Sequence, residues 1–233
     1  MQRYSVIKEK NPREIVLLRG RGCRYRRCAF CDYHDDASCD EQANLKINTE
    51  ALSQVTGRYG CLEVVNSGSF NELDSSTMKA LLAVCSARKI STIHFECHWL
   101  YRRRIPALRA AFAEIGVQVK MKIGVETFDA AYREDVMHKG IKETDPEKIA
   151  DGYNECCLLF GLPGQTIESM KNDIETGLRY FERICINIMV ENTAPLQPCD
   201  AVREIFVNEI YPLYKDDPRV DILLHNTDFG VGD

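Results

Sequence analysis

Residues 13–31 read Arg13-Glu14-Ile15-Val16-Leu17-Leu18-Arg19-Gly20-Arg21-Gly22-Cys23-Arg24-Tyr25-Arg26-Arg27-Cys28-Ala29-Phe30-Cys31. The apolar run at 15–18 reads as a strand, and the loop that follows carries three cysteines with four residues, then two, between them. A loop of that spacing can wrap three thiolates around one small inorganic object, and thiolates are the ligands of zinc and of iron–sulfur clusters. Three ligands in place of four is the informative number, because a four-iron cluster on three thiolates keeps one iron open. Structural zinc is the rival reading: Cys39 or His34 would complete the ligand set.

The composition narrows the class. At 233 residues, the chain is expected to be a single domain over 1–233. It is 45% hydrophobic and 28% charged, which supports a sizeable core and argues against disorder. The formal charge of −5 argues against a nucleic-acid backbone as the main partner, although Arg24, Arg26 and Arg27, and Arg102-Arg103-Arg104, are local basic patches. The ordinary reading of the second run is a solvated helix start. Eleven cysteines, an odd number, in a chain showing no export signal lead to the expectation of the reducing cytoplasm. Cys61, Cys85, Cys97, Cys156, Cys157 and Cys185 lie in or beside apolar runs and read as small core residues. No apolar stretch approaches the roughly 20 residues that span a bilayer, so no membrane partner is expected.

Outward from the cysteine loop, β-branched apolar runs alternate with helical periodicity. Strands are expected at 14–19, 62–66, 92–97, 117–125, 155–161 and 186–190, with a last one at 220–224. Helices are expected at 50–59, 75–88, 105–115, 130–138, 167–183 and 201–214, with caps at 74–76 and at Thr166. The pattern predicts a parallel α/β fold, an open sheet or an incomplete barrel, with chemistry at the carboxyl ends of the strands. Each such end is polar or glycine-rich: Asn66-Ser67-Gly68-Ser69-Phe70, Glu96-Cys97-His98-Trp99, Gly124-Val125-Glu126-Thr127, Gly161-Leu162-Pro163-Gly164 and Glu191-Asn192-Thr193. Glu96 and His98 alternate with Cys97, so both can face one cavity, or can form a polar cap on the barrel end. Glu126 and Arg133 have ordinary readings too, as a helix-start acid and a helix-surface arginine, and Asp228 as a turn acid.

With those segments in that order, the chain resembles the radical SAM family. The cysteine spacing departs from the family's usual three-then-two. Phe30 before the third cysteine, the small-residue turn after the second strand, Gly124-Val125-Glu126-Thr127 followed by Arg133 and Lys139-Gly140, and Phe160-Gly161-Leu162-Pro163-Gly164-Gln165-Thr166 match family habits over about residues 14 to 195. The resemblance implies a partial (βα)6 barrel, a 4Fe-4S cluster on Cys23, Cys28 and Cys31, and S-adenosyl-L-methionine cleaved reductively to a 5′-deoxyadenosyl radical. It implies cofactor contacts by Phe30, by Asn66, Ser67 and Gly68 at the methionine amino group, by Glu126 at the ribose or methionine end, by Arg133 at the carboxylate, and by Gly161 and Asn192 beside the adenine. It also implies an electron donor such as flavodoxin or ferredoxin.

Among small members of that family the chain is most similar to the queuine lyase branch of bacterial queuosine salvage. That resemblance implies cleavage of queuine to 7-aminomethyl-7-deazaguanine (preQ1), a C–N lyase reaction begun by hydrogen abstraction. Glu96 and His98 are then the candidate catalytic residues, and Tyr25, Glu96, His98, Asn226 and Asp228 the candidate substrate contacts. Trp99 is an alternative stacking partner for the base. An unclosed side of a parallel sheet is compatible with a homodimer. The competing expectations are a radical SAM enzyme acting on tRNA or a peptide through the arginine runs, and a non-enzymatic iron–sulfur or zinc module.

Overall fold

The structure is a computed structural model that describes residues 1–32 and 36–232. His34 therefore lies outside the described residues. The chain forms two compact units. The first comprises residues 1–25, 36–121 and 229–232; the second comprises residues 26–32 and 122–228.

In the first unit, strand β1 (Tyr4–Ile7) pairs antiparallel with β2 (Arg13–Leu18), and β2, β3 (Cys61–Asn66) and β4 (Thr92–Glu96) run parallel. Helix α1 (Glu41–Ser53) links β2 to β3, α2 (Ser75–Ala87) links β3 to β4, and α3 (Ile105–Ala113) follows β4. Ile15, Val16, Leu62, Val64, Ile93 and Phe95 are buried, and Phe95 meets Phe112 of α3 edge-on at 5.5 Å. Glu63 and His94 alternate with these apolar residues and are buried too, so the opposite face of β3 and β4 carries polar groups.

In the second unit, the end of β5 (Gln118–Glu126) pairs parallel with β6 (Glu155–Phe160), which pairs with β7 (Arg183–Ile188), which pairs with β8 (Val220–Leu223). All six residues of β6 are buried. Helices α4 (Pro146–Ala150), α5 (Ile167–Tyr180), α6 (Asp200–Ile205) and α7 (Tyr211–Tyr214) complete this unit. Thr166 caps α5, accepting the Ser169 N–H at 3.1 Å as its position predicts.

Several element expectations need correction. The helix expected at 50–59 is α1, some nine residues earlier, because Asp40 accepts the N–H groups of Gln42 and Ala43 and starts it there. The strand expected at 186–190 begins at Arg183, whose charge hides it: the guanidinium is paired with Asp221 at 2.5 Å. The stretch 130–138 is a π-helical turn over Tyr132–Val136, and 201–214 is interrupted by a second one at Phe206–Ile210. The expectations missed β1, whose residues are all half-buried, and α4, which is only five residues long. Cys85, Cys97, Cys156, Cys157 and Cys185 are buried core residues, and Cys61 is half-buried. Burial pushes the Cys85 thiol up to about 12, where it is chemically inert.

Candidate functional site

In the first unit, β2 ends at Leu18 and the chain enters the cysteine loop; β3 ends at Asn66 and the chain enters the small-residue turn. Cys23 is half-buried. A side chain on Gly68 would run into the carboxylate of Glu72 and approach the Cys23 nitrogen to 3.1 Å, so glycine is what lets the turn lie against the first cysteine. Asn66 donates from Nδ2 to the Ser69 carbonyl at 3.2 Å, and the Gly68 N–H bonds the Asn66 carbonyl at 2.6 Å. Ser67 is half-buried between them.

Glu72 is the residue that sequence reasoning missed. Its buried carboxylate accepts the Arg24 N–H at 2.6 Å, the Ser69 N–H at 2.5 Å and the Tyr101 hydroxyl at 3.1 Å. One acid thus ties the cysteine loop, the small-residue turn and the segment after β4. Beside the negative charge, burial pushes the Tyr101 hydroxyl up to about 12, with Glu72 adding to the shift. The only local hint of this role is the three-residue spacing to Ser69, which makes a capping box.

Three expected substrate contacts lie in the same unit. Glu96 ends β4 half-buried. His98 bonds the Ser69 hydroxyl through its backbone N–H at 2.9 Å, accepts the Leu100 N–H on Nδ1 at 3.1 Å, and stacks on Tyr25 at 4.7 Å between ring centroids. The structure therefore brings Tyr25 and His98 together. Trp99 has one face covered by Arg102, at 4.2 Å.

In the second unit, Cys28 and Cys31 are half-buried against an apolar cluster of Phe30, Met137, Leu159, Leu162 and Met189, with Tyr132 and Leu196 packed on it. The loop is held there by main-chain bonds, Ala29 N–H to the Met137 carbonyl and Leu196 N–H to the Ala29 carbonyl. Asn192 donates to the Phe30 carbonyl at 2.8 Å and accepts the Ala194 N–H at 2.9 Å; Thr193 bonds the Asp32 carboxylate. Expected beside adenine, Asn192 here anchors the cysteine loop.

Lys139 lies over the Phe30 ring, 5.4 Å from Nζ to the centroid, and pairs with Glu126 at 2.6 Å. Burial works against its charge, but the Glu126 carboxylate and the thiols of Cys28 and Cys31 outweigh that and hold it above the ordinary lysine range. Glu126 reaches the lysine through a register shift between Gly124 and Glu126 on β5, and it adopts φ +69°, a left-handed conformation rare outside glycine. A side chain on Gly124 would collide with this pair.

Arg133 departs from expectation. It is fully buried and spends its donors on main-chain carbonyls: Nη1 on Thr127 at 3.0 Å, Nε on Ile141 at 3.2 Å, and Nη2 on Ile141 at 3.0 Å and Glu143 at 2.5 Å. It staples the chain after Glu126 to the chain after Lys139, with four of its five N–H donors on main-chain carbonyls and the Glu134 carboxylate 3.7 Å from Nε. Gly161, at φ +89°, opens a turn in which Gln165 bonds the Leu162 N–H and the Leu159 carbonyl, both at 2.9 Å, and Tyr132 bonds the Pro163 carbonyl at 2.6 Å. Asn226 and Asp228 are exposed, and Asp228 closes a turn on the His225 N–H at 2.9 Å, its ordinary reading.

Among the described residues, no three His, Cys, Asp or Glu side chains converge in metal-holding geometry. The fit of a metal–sulfur group is therefore a matter of donor chemistry. Three half-buried thiols on one loop, two of them against an apolar cluster with a lysine cation close by, suit a thiolate-bound cluster. Among the described residues no helix is long and apolar enough to cross a membrane. One concavity of about 790 Å³ along the first turns of α5 contains none of the expected site residues.

A parallel α/β chain with three cysteines after its first parallel strand and a glycine turn after the next has the layout of a radical SAM enzyme. The comparison with solved structures is more specific. Queuine lyase from Clostridium spiroforme bound to SAM and queuine is 40% identical, with a TM-score of 0.95, and the match covers 100% of this chain and 100% of that one. The chain belongs to the queuine lyase family, and its fold class is the α/β partial (βα)6 barrel expected from the sequence. No family model and no curated protein matches the chain.

Proposed function

We propose that this chain is a C–N lyase that cleaves S-adenosylmethionine reductively and uses the resulting 5′-deoxyadenosyl radical to convert queuine to preQ1. The observation that carries this is the full-length match, at 40% identity, to a queuine lyase bound to SAM and queuine. The match runs through all of both chains, which supports reading residues 1–233 as one catalytic domain.

Cys23, Cys28 and Cys31 would hold the 4Fe-4S cluster. When bound, that group supplies an open iron for the methionine end of the nucleoside and the electron that breaks its carbon–sulfur bond. Asn66, Ser67 and Gly68 present backbone to the amino group, and Glu72 fixes that turn against Cys23. Phe30 and the apolar cluster give Cys28 and Cys31 an apolar backing on one side. Glu126, oriented by Lys139, faces the ribose or methionine end; Arg133 serves as the staple that holds Glu126 and Lys139 in place. Gly161 and Asn192 would flank the adenine, Asn192 through the backbone it anchors. Tyr25 and His98 form the stacking wall for the deazaguanine, with Glu96 accepting from its N–H edge, and Asn226 and Asp228 bonding the diol. His98 and Glu96 are also the candidate proton-handling groups at the bond that breaks.

We further infer a cytoplasmic enzyme served by flavodoxin or ferredoxin, with a homodimer as its assembly. Thiol-rich, oxygen-sensitive chemistry fits that compartment. The test is anaerobic reconstitution, then incubation with queuine, S-adenosylmethionine and dithionite. Equimolar preQ1 and 5′-deoxyadenosine by mass spectrometry is the expected result. 5′-Deoxyadenosine without preQ1 would keep the class and reject the substrate. Colourless protein with stoichiometric zinc would reject both.

A further inference from the structure

The arginine run after β4 has no part in the chemistry above, yet it is built into a defined surface. In the first unit, Arg24, Arg103 and Arg104, with Asn71, Leu100 and Tyr101, line a concavity of about 430 Å³. Arg24, Arg103 and Arg104 are exposed, and among the described residues their side chains make no hydrogen bond or ion pair. Arg102 differs: it is committed to Trp99, over the ring and on the carbonyl at 3.1 Å. The walls are fixed, because the Arg24 N–H and the Tyr101 hydroxyl share one carboxylate oxygen of Glu72. Leu100, half exposed, adds an apolar contact between the cations. Three guanidinium groups gathered in one place, unpaired among the described residues, are a local inversion of sign on a chain of net charge −5.

We propose that this concavity docks a small acidic one-electron carrier protein, flavin- or iron–sulfur-bearing. The proposal rests on the reading of Cys23 as a cluster ligand, since Arg24 is the next residue in the chain. A carrier seated on Arg24, Arg103 and Arg104 delivers its electron beside that ligand: the carrier is oxidised by one electron, the bound cluster is reduced by one, and no group is transferred. Charge complementarity of this kind sets encounter rate and orientation more than lifetime. An apolar residue within an arginine rim suits a protein face. RNA is the less favoured occupant, because the neighbouring Trp99 is covered by Arg102 and the chain as a whole is acidic.

The experiment compares the wild-type holoenzyme with the double variant Arg103→Glu/Arg104→Glu. Cluster reduction is followed by visible absorption and electron paramagnetic resonance, once with reduced flavodoxin and once with dithionite, at several salt concentrations. With flavodoxin, the variant's second-order rate should fall about tenfold or more and lose most of its salt dependence. With dithionite, reduction and preQ1 formation should equal wild type, which shows the variant folded and loaded. Equal flavodoxin rates for the two proteins overturn the docking surface and leave the cluster reading intact. Loss of tRNA retention, or of self-association in sedimentation velocity, with flavodoxin reduction unchanged, also overturns it and assigns the surface to that occupant. A wild-type protein that dithionite cannot reduce brings down both readings.

Discussion

Glu126 and Lys139 show how much of this site is decided by single side chains. A glutamate at positive φ is strained, and it persists because a buried lysine waits at 2.6 Å. Removing one partner of such a pair strands the other charge, at a cost of about 3–5 kcal/mol. Lys139→Met should therefore lower the urea midpoint of unfolding sharply, while the double variant Glu126→Gln/Lys139→Met should recover a large share of the loss. Equal destabilisation by the single and double variants would mean that the pair is not coupled. Glu72 predicts a different signature. Its carboxylate accepts from two main-chain N–H groups, and Glu72→Gln would turn an amide donor toward at least one of them, at about 1–3 kcal/mol. Hydrogen exchange should speed up selectively at the Arg24 and Ser69 amides; protection unchanged at both would rule out the tie.

At the level of elements, what was legible is what is encoded locally. The strand-then-cysteine loop, the Ser67-Gly68-Ser69 turn and the Gly161-Leu162-Pro163-Gly164 turn could be read because each carries its reason within a few residues. Helix α1 was misplaced because its inward face is polar. Asn48 bonds both the N–H and carbonyl of Arg19, at 2.7 and 2.8 Å, and Asn44 bonds Asp74 at 2.8 Å, so no apolar period marks the helix. Asp74 for its part is drawn into that network and does not cap α2 with its side chain, although it stands at the cap position. Glu72 and the Glu126–Lys139 pair were illegible for the same reason: their partners lie far along the chain or depend on a bulge. The start of α1 thus falls to one side chain, and Asp40→Ala should cost about 1 kcal/mol in urea unfolding, with Asp40→Asn largely sparing it. A loss within experimental error for Asp40→Ala would show that packing alone sets this boundary.

For the molecule as a whole, two buried carboxylates give opposite pH dependences. Burial works against the charge on Glu14, but bonds from the Thr56 and Gly57 N–H groups and the Tyr4 hydroxyl hold it below the ordinary range. Its contribution is present above the unfolded value and is lost on acidification. Asp173 on α5 runs the other way. Burial lifts it from 3.8 to about 6, although it accepts the Phe128 N–H at 2.7 Å. Between those two values the folded chain binds the proton more than the unfolded chain does, so stability falls as pH rises through the window. At 1.36 kcal/mol per unit, the loss from about pH 4 to pH 6 is on the order of 3 kcal/mol, complete above pH 6. Asp173→Asn keeps an oxygen for Phe128 and cannot ionise. Urea unfolding at half-unit steps from pH 4 to 8 should show the variant with a flatter limb below pH 6 and equal or greater stability at pH 7.5. A variant that keeps the wild-type slope between pH 4 and 6 would move the responsible group away from Asp173.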